Sequence, residues 1–170
     1  MPLSIRFGED EYIDREQLTG EQFYNLLADS ETLPETAAPS PGAFAAAFQR
    51  HLDAGASAVV CINLSAAVSA TMQSAVTAAE TINGDIRVVD SRSVTAGQGG
   101  IVLAAARAAA QGASADEVVA IAESAAERTH VFGALDTLEN LQKGGRIGNA
   151  QALLGSMLSI KPIIDISSGT

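Results

Sequence analysis

Ala58-Val59-Val60-Cys61-Ile62 is an unbroken apolar run, and Asn63-Leu64-Ser65 follows it at once. A strand with one wet face alternates apolar and polar residues. An unbroken run instead fits a strand covered on both faces, as in a parallel sheet. Downstream, Met72, Ala75, Val76, Ala79 and Ile82 keep helical spacing as far as Gly84, and Ile86 to Val89 is a second buried strand. Ala96 to Ala110 reads as a helix that is apolar almost all round, which predicts a central position. Ser114 and Glu117 make a capping box, opening a helix with Val118, Ile121 and Ala125 inward. Val131 to Leu135 is another short strand. Strands alternating with helices predict an α/β fold: a mostly parallel sheet flanked by helices.

Upstream, Leu3 to Phe7 alternates like a strand, Gly8 to Asp10 is a turn, and Glu11 to Asp14 returns as a short strand. Thr19 with Gln22 forms a capping box for a helix whose apolar stripe is Phe23, Leu26 and Leu27. Leu33 to Pro41 reads as a loop. Ser40-Pro41 starts the next helix, since Ser is a good N-cap and Pro at the first position wastes no N–H. Phe44, Phe48 and Leu52 share one face of that helix, and Gly55 closes it as a left-handed cap. Alanine density falls near His130, which places a domain boundary there: an α/β domain over residues 1–130 and the beginning of a second α/β domain over 131–170.

The chain has 170 residues, a formal net charge of −10 and a pI of about 4.5. Nucleic acid is excluded as a partner, because phosphate neutralisation needs clustered Lys and Arg. Unaided docking on anionic membranes is disfavoured for the same reason, and no apolar stretch is long enough to insert in a bilayer. The amino terminus lacks a basic region followed by an apolar one, so the expected compartment is the cytoplasm. The lone Cys61 excludes a disulfide within the chain and reads as an inert thiol on a strand.

Ligands of open parallel sheets gather beyond the carboxyl ends of strands. Two such junctions occur: Ile62 to Ser65, leading into Ser69 and Thr71, and Asp90 to Ser93, leading into Thr95. The first carries hydroxyls and no carboxylate of its own. Its helix N–H groups favour an anion, bound by Ser65, or else the hydroxyls are helix caps and nothing more. Lys143-Gly144-Gly145-Arg146 follows a short helix over Thr137 to Gln142. The paired glycines permit a left-handed exit. Arg146 then either caps the last carbonyls or aims its fork of donors at an acid group. Gly97-Gln98-Gly99-Gly100 lacks the third glycine of a dinucleotide fingerprint, so no such cofactor is expected, and these glycines read as close helix packing. His51 and His130 have no ligand at metal spacing, and Cys61 has no evident base. No cofactor, metal or catalytic residue is predicted.

Four segments in this order resemble the DegV family of bacterial fatty-acid-binding proteins: Pro39-Ser40-Pro41-Gly42, the serine-rich Ser65 to Ser74, Lys143 to Ile147, and Ile160-Lys161-Pro162-Ile163. Asp90-Ser91 with Gly97 and Gly99 fits the same pattern. The resemblance implies a lipid-binding protein in which a long-chain fatty acid lies in a tunnel between two domains. Its carboxylate would be held by hydroxyls at Thr36 and Ser65, with Arg146 in support. It also implies that the protein is not an enzyme and presents its ligand to a separate fatty acid kinase. Ala37, Ala38, Ala66 and Ala70 replace polar residues or a glycine of the family pattern. The family's first strand and most of its second domain are unmatched, so the expectation includes a homodimer that replaces them. A rival expectation is an interaction module of the same fold that binds no lipid.

Overall fold

The computed structural model describes residues 1–153 and 161–166. At its centre, strands β4 (Val59–Asn63) and β5 (Ile86–Asp90) run parallel, in register from Val59 opposite Ile86 to Asn63 opposite Asp90. Successive side chains point to opposite faces. Val60, Ile62 and Val89 pack against Ile101 and Ala105 of helix α4 (Thr95–Ala110) and Val118, Ala122 and Ala126 of α5 (Ala115–Glu127). Val59, Cys61, Ile86 and Val88 pack against Phe44 and Phe48 of α2 (Pro41–Asp53) and Ala75 and Ala78 of α3 (Thr71–Ala79). The apolar run of β4 is therefore unbroken because helices cover both faces. Phe44 and Phe48 are each only 3% exposed, and burial of such a side chain stabilises by roughly 1.5–3 kcal/mol.

Two antiparallel sheets flank this three-layered centre. One joins β1 (Ser4–Phe7) to β2 (Asp10–Ile13) through a turn in which Gly8 has φ +62°, followed by α1 (Gly20–Asp29). Its third strand, β3 (Glu35–Ala37), pairs with β1 and sets Thr36 opposite Ile5. The segment read as a loop thus contains a short strand. The other sheet pairs β6 (Phe132–Ala134) with β7 (Ile163–Asp165), and between them lie helix α6 (Glu139–Lys143) and a 3-10 turn over Gly148–Leu153.

The capping boxes form as expected. Gln22 N–H donates to Thr19 Oγ1 at 3.2 Å while Thr19 N–H donates to Gln22 Oε1 at 2.9 Å. Ser114 and Glu117 do the same. Ser40 caps α2 with Pro41 at its first position, and Gly55 closes the turn after it at φ +94°.

Helix α4 departs from its expected central position. Ile101 is buried, but Val102 is 38% and Leu103 58% exposed. The helix packs on the sheet and α5 with one side only. In α5, Ile121 stands at the surface and Ala122 takes the inward place, in step with Val118 and Ala126. The glycines of α4 also divide. A Cβ on Gly97 would lie 2.3 Å from Ser93 Oγ and 2.4 Å from Val131 Cγ2, whereas Gly99 and Gly100 face open space. Close packing therefore explains Gly97 alone.

Gln98, one residue on, donates from Nε2 to the carbonyl of Ile62 at 3.1 Å. In β4 the carbonyl of Asn63 faces β5 and accepts from Ser91 N–H at 3.0 Å. By alternation the Ile62 carbonyl faces away from β5, and a side chain satisfies it there.

Candidate functional site

The two strand-to-helix junctions lie side by side because β4 and β5 are neighbours in register. They are bonded to each other as well. Ser65 N–H donates to the carbonyl of Ser93 at 2.9 Å. Ala66 N–H reaches both carboxylate oxygens of Asp90, at 3.3 and 3.4 Å. Asp90 Oδ1 also accepts from Arg92 N–H at 2.8 Å, an Asx-turn that holds Arg92 at φ +50°. Such a backbone conformation is rare for a residue with a side chain.

The rest of the serine turn closes on itself. Ala67 N–H donates to Ser65 Oγ at 3.2 Å, and Val68 N–H to the Ser65 carbonyl at 3.3 Å. The N–H groups of residues 65 to 68 thus all have partners inside the protein. These N–H groups precede α3, whose first turn the sequence reading concerned, and the junction has no carboxylate of its own. Asp90 supplies one from the neighbouring junction. Ser65 itself is 1% exposed.

Further along, Ser69 Oγ lies 2.9 Å from Thr71 Oγ1 and accepts from Thr71 N–H at 3.3 Å. The residue at the N-cap of α3 is Ala70, whose side chain has nothing to offer the helix. Ser69 therefore acts locally on the turn, and Ser65 is the serine at the strand end.

Arg146 lies just beyond α6, after Gly145 at φ +71°. Its Nη1 donates to the Gly144 carbonyl at 2.7 Å, so the capping reading is realised. Its Nε also donates to the Val68 carbonyl at 3.4 Å, which brings the guanidinium onto the serine turn. The two turns face each other across a cleft of about 480 Å³, with Ala66 to Ala70 on one side and Gly145, Arg146 and Gly148 on the other.

Thr36 does not line this cleft. It sits exposed on β3, and its hydroxyl makes no hydrogen bond among the described residues. The structure therefore joins the turn of Ser65 to Arg146 but does not add Thr36. Of the final motif, Ile160 lies outside the described residues. Lys161 forms an ion pair with Asp136 at 2.7 Å, and the Pro162 carbonyl accepts from Leu135 N–H at 3.0 Å.

Asp90 and Ser93 are the residues that sequence reasoning placed in the second junction without giving them a part in the first. Ser93 is 2% exposed, and its Oγ has no hydrogen-bond partner among the described residues. Cys61 is half-buried. Desolvation pushes its thiol above the ordinary value, against a weaker opposing effect of Asn63, whose Nδ2 donates to Sγ at 3.4 Å. No group of three or more His, Cys, Asp or Glu is placed to hold a metal among the described residues.

Comparison with known proteins returns one family throughout. The sequence model of the DegV family, described as one of uncharacterised proteins, matches residues 1–170. A DegV domain-containing protein of Halalkalibacterium halodurans is 35% identical over 100% of this chain and 60% of its own length. A fatty-acid-binding DegV family protein from Thermus thermophilus is 35% identical with a TM-score of 0.90, over 99% of this chain and 60% of that one. A stearic-acid-binding protein from Eubacterium ventriosum is 27% identical with a TM-score of 0.88, over 99% of this chain and 59% of that one. The chain thus spans about 60% of the length of the curated relative and the solved structures described.

Proposed function

We propose that this chain, which belongs to the DegV family, binds a long-chain fatty acid as a non-catalytic, cytoplasmic carrier. The acid group lies at the serine turn, with Ser65 as its first hydroxyl partner and Arg146 as the nearby cation. The observation that carries this reading is the meeting of Ala66 to Ala70, the turn directly after the buried Ser65, with Arg146 across a cleft at the carboxyl end of β4. That is where open parallel sheets receive ligands. Fatty acid binding by the similar Thermus and Eubacterium proteins supports the ligand class. Thr36 enters as a second hydroxyl on the family resemblance alone.

The acyl chain supplies most of the affinity, at about 25 cal/mol per Å² of apolar area removed from water. Residues 131–170 begin a second domain that helps enclose it. A separate fatty acid kinase would take the bound acid, since the carrier itself does no chemistry on it.

The test is lipid carriage by the purified protein. Native mass spectrometry is expected to show a co-purified long-chain fatty acid. Added palmitate is expected to raise the melting temperature, since a ligand at 100 times its Kd stabilises by about 2.7 kcal/mol. Ser65→Ala should weaken palmitate binding about tenfold, the effect of one lost hydrogen bond to a charged group. A protein that carries no acid and ignores palmitate would be the non-binding module instead.

A further inference from the structure

We infer that Asp90 is a positioning residue for Ser65, an inference that rests on the reading of Ser65 as the partner of the acid group. The two residues are 25 positions apart in sequence and belong to different strand-to-helix junctions. They meet because Asp90 ends β5 opposite Asn63 of β4. From there the Asp90 carboxylate takes the N–H of Ala66, the residue directly after Ser65, with both of its oxygens. The residue thus grips the serine turn from the neighbouring junction, while the Ser93 carbonyl holds the N–H of Ser65 itself.

Two consequences follow for the ligand. The first concerns orientation. Ser65 is buried and its peptide is fixed at both ends, so the direction of its side chain is set before any ligand arrives. A group held in advance loses less freedom on binding. The second concerns which atoms meet the acid. A turn of successive open N–H groups would bind any anion through its backbone. Here Asp90 consumes the N–H that stands nearest the serine. Recognition at this point passes to the hydroxyl, and it depends on Asp90 staying in place. Arg92, whose N–H the same carboxylate accepts, keeps the carboxylate from swinging away.

Asp90→Asn keeps the shape and one acceptor oxygen but loses the charge that strengthens both N–H bonds. Palmitate binding is to be measured for the wild-type protein, Asp90→Asn, Ser65→Ala and the double variant, with melting temperature recorded for each. Asp90→Asn is expected to weaken palmitate binding several-fold. In the Ser65→Ala background the same change is expected to have no further effect on binding, although it lowers the melting temperature as before. That coupling is what a residue acting through Ser65 produces, and a merely structural role does not. Independent, multiplicative losses in the double variant would overturn the inference while leaving Ser65 as the acid's partner. Wild-type binding by Ser65→Ala would overturn the reading of Ser65 and, with it, the inference. Should binding prove too weak to follow in a variant, the Ala66 amide resonance decides. It is expected to shift in Asp90→Asn far more than the other amides of the turn, and an unmoved resonance would overturn the grip itself.

Discussion

The N–H of Ser65 donates to the carbonyl of Ser93 at 2.9 Å, and both residues are almost fully buried. Each ends a strand-to-helix junction, so the parallel pairing of β4 and β5 continues past the strands themselves. Anything that moves Ser93 therefore moves Ser65.

Gly97 offers a way to do so. Its missing side chain makes room for Ser93 Oγ and Val131 Cγ2. Gly97→Ala is expected to destabilise by about 1–3 kcal/mol through overpacking. Gly99→Ala and Gly100→Ala, which meet open space in the same helix, are expected to stabilise by up to about 1 kcal/mol. Urea unfolding of the three variants checks the contrast, and equal effects would contradict it.

The sidedness of α4 is open to the same measurement. Ile101→Ala removes a side chain that is 1% exposed and is expected to cost about 2–5 kcal/mol. Leu103→Ala, two residues on and 58% exposed, is expected to change stability by less than about 0.5 kcal/mol. A large loss at Leu103 would mean that this face is covered in solution.

Glu117 links stability to pH. Its carboxylate accepts from the N–H and the hydroxyl of Ser114, at 2.7 and 2.8 Å. These bonds hold its pKa below the ordinary value of 4.5, against a smaller opposing effect of desolvation and Asp116. A carboxyl depressed on folding adds stability that is fully present above its unfolded value and lost as pH falls through its folded one. Glu117→Ala should therefore melt below the wild type at pH 7, and the gap should narrow from about pH 4.5 downward. Melting curves at several pH values test this, and a gap that stays constant would assign the effect to helix propensity.

Local grammar in the sequence was legible. Thr19 with Gln22, Ser114 with Glu117, and Ser40 with Pro41 each declare a helix start within four residues, and the structure has all three. The unbroken run of β4 correctly implied two covered faces. What escaped was non-local. Strand β3 is three residues long and exists through its pairing with β1 about 30 residues away, which no periodicity reports. An almost wholly apolar helix such as α4 has no polar face to show which side meets water. The part that Asp90 plays at the first junction was hidden too: it fills the N–H of Ala66 but arrives from the next strand. Ser65 and Arg146 were readable as candidates, yet the approach of Arg146 to the serine turn depends on its bond to Val68, 78 residues away.

The bond from Gln98 to the Ile62 carbonyl has a bearing on self-association. An outer strand edge with free carbonyls is a template on which another chain can add a strand. At Ile62 that position is already occupied by an amide from α4. A strand that added there would have to displace this bond, so Gln98 raises the cost of pairing at Ile62.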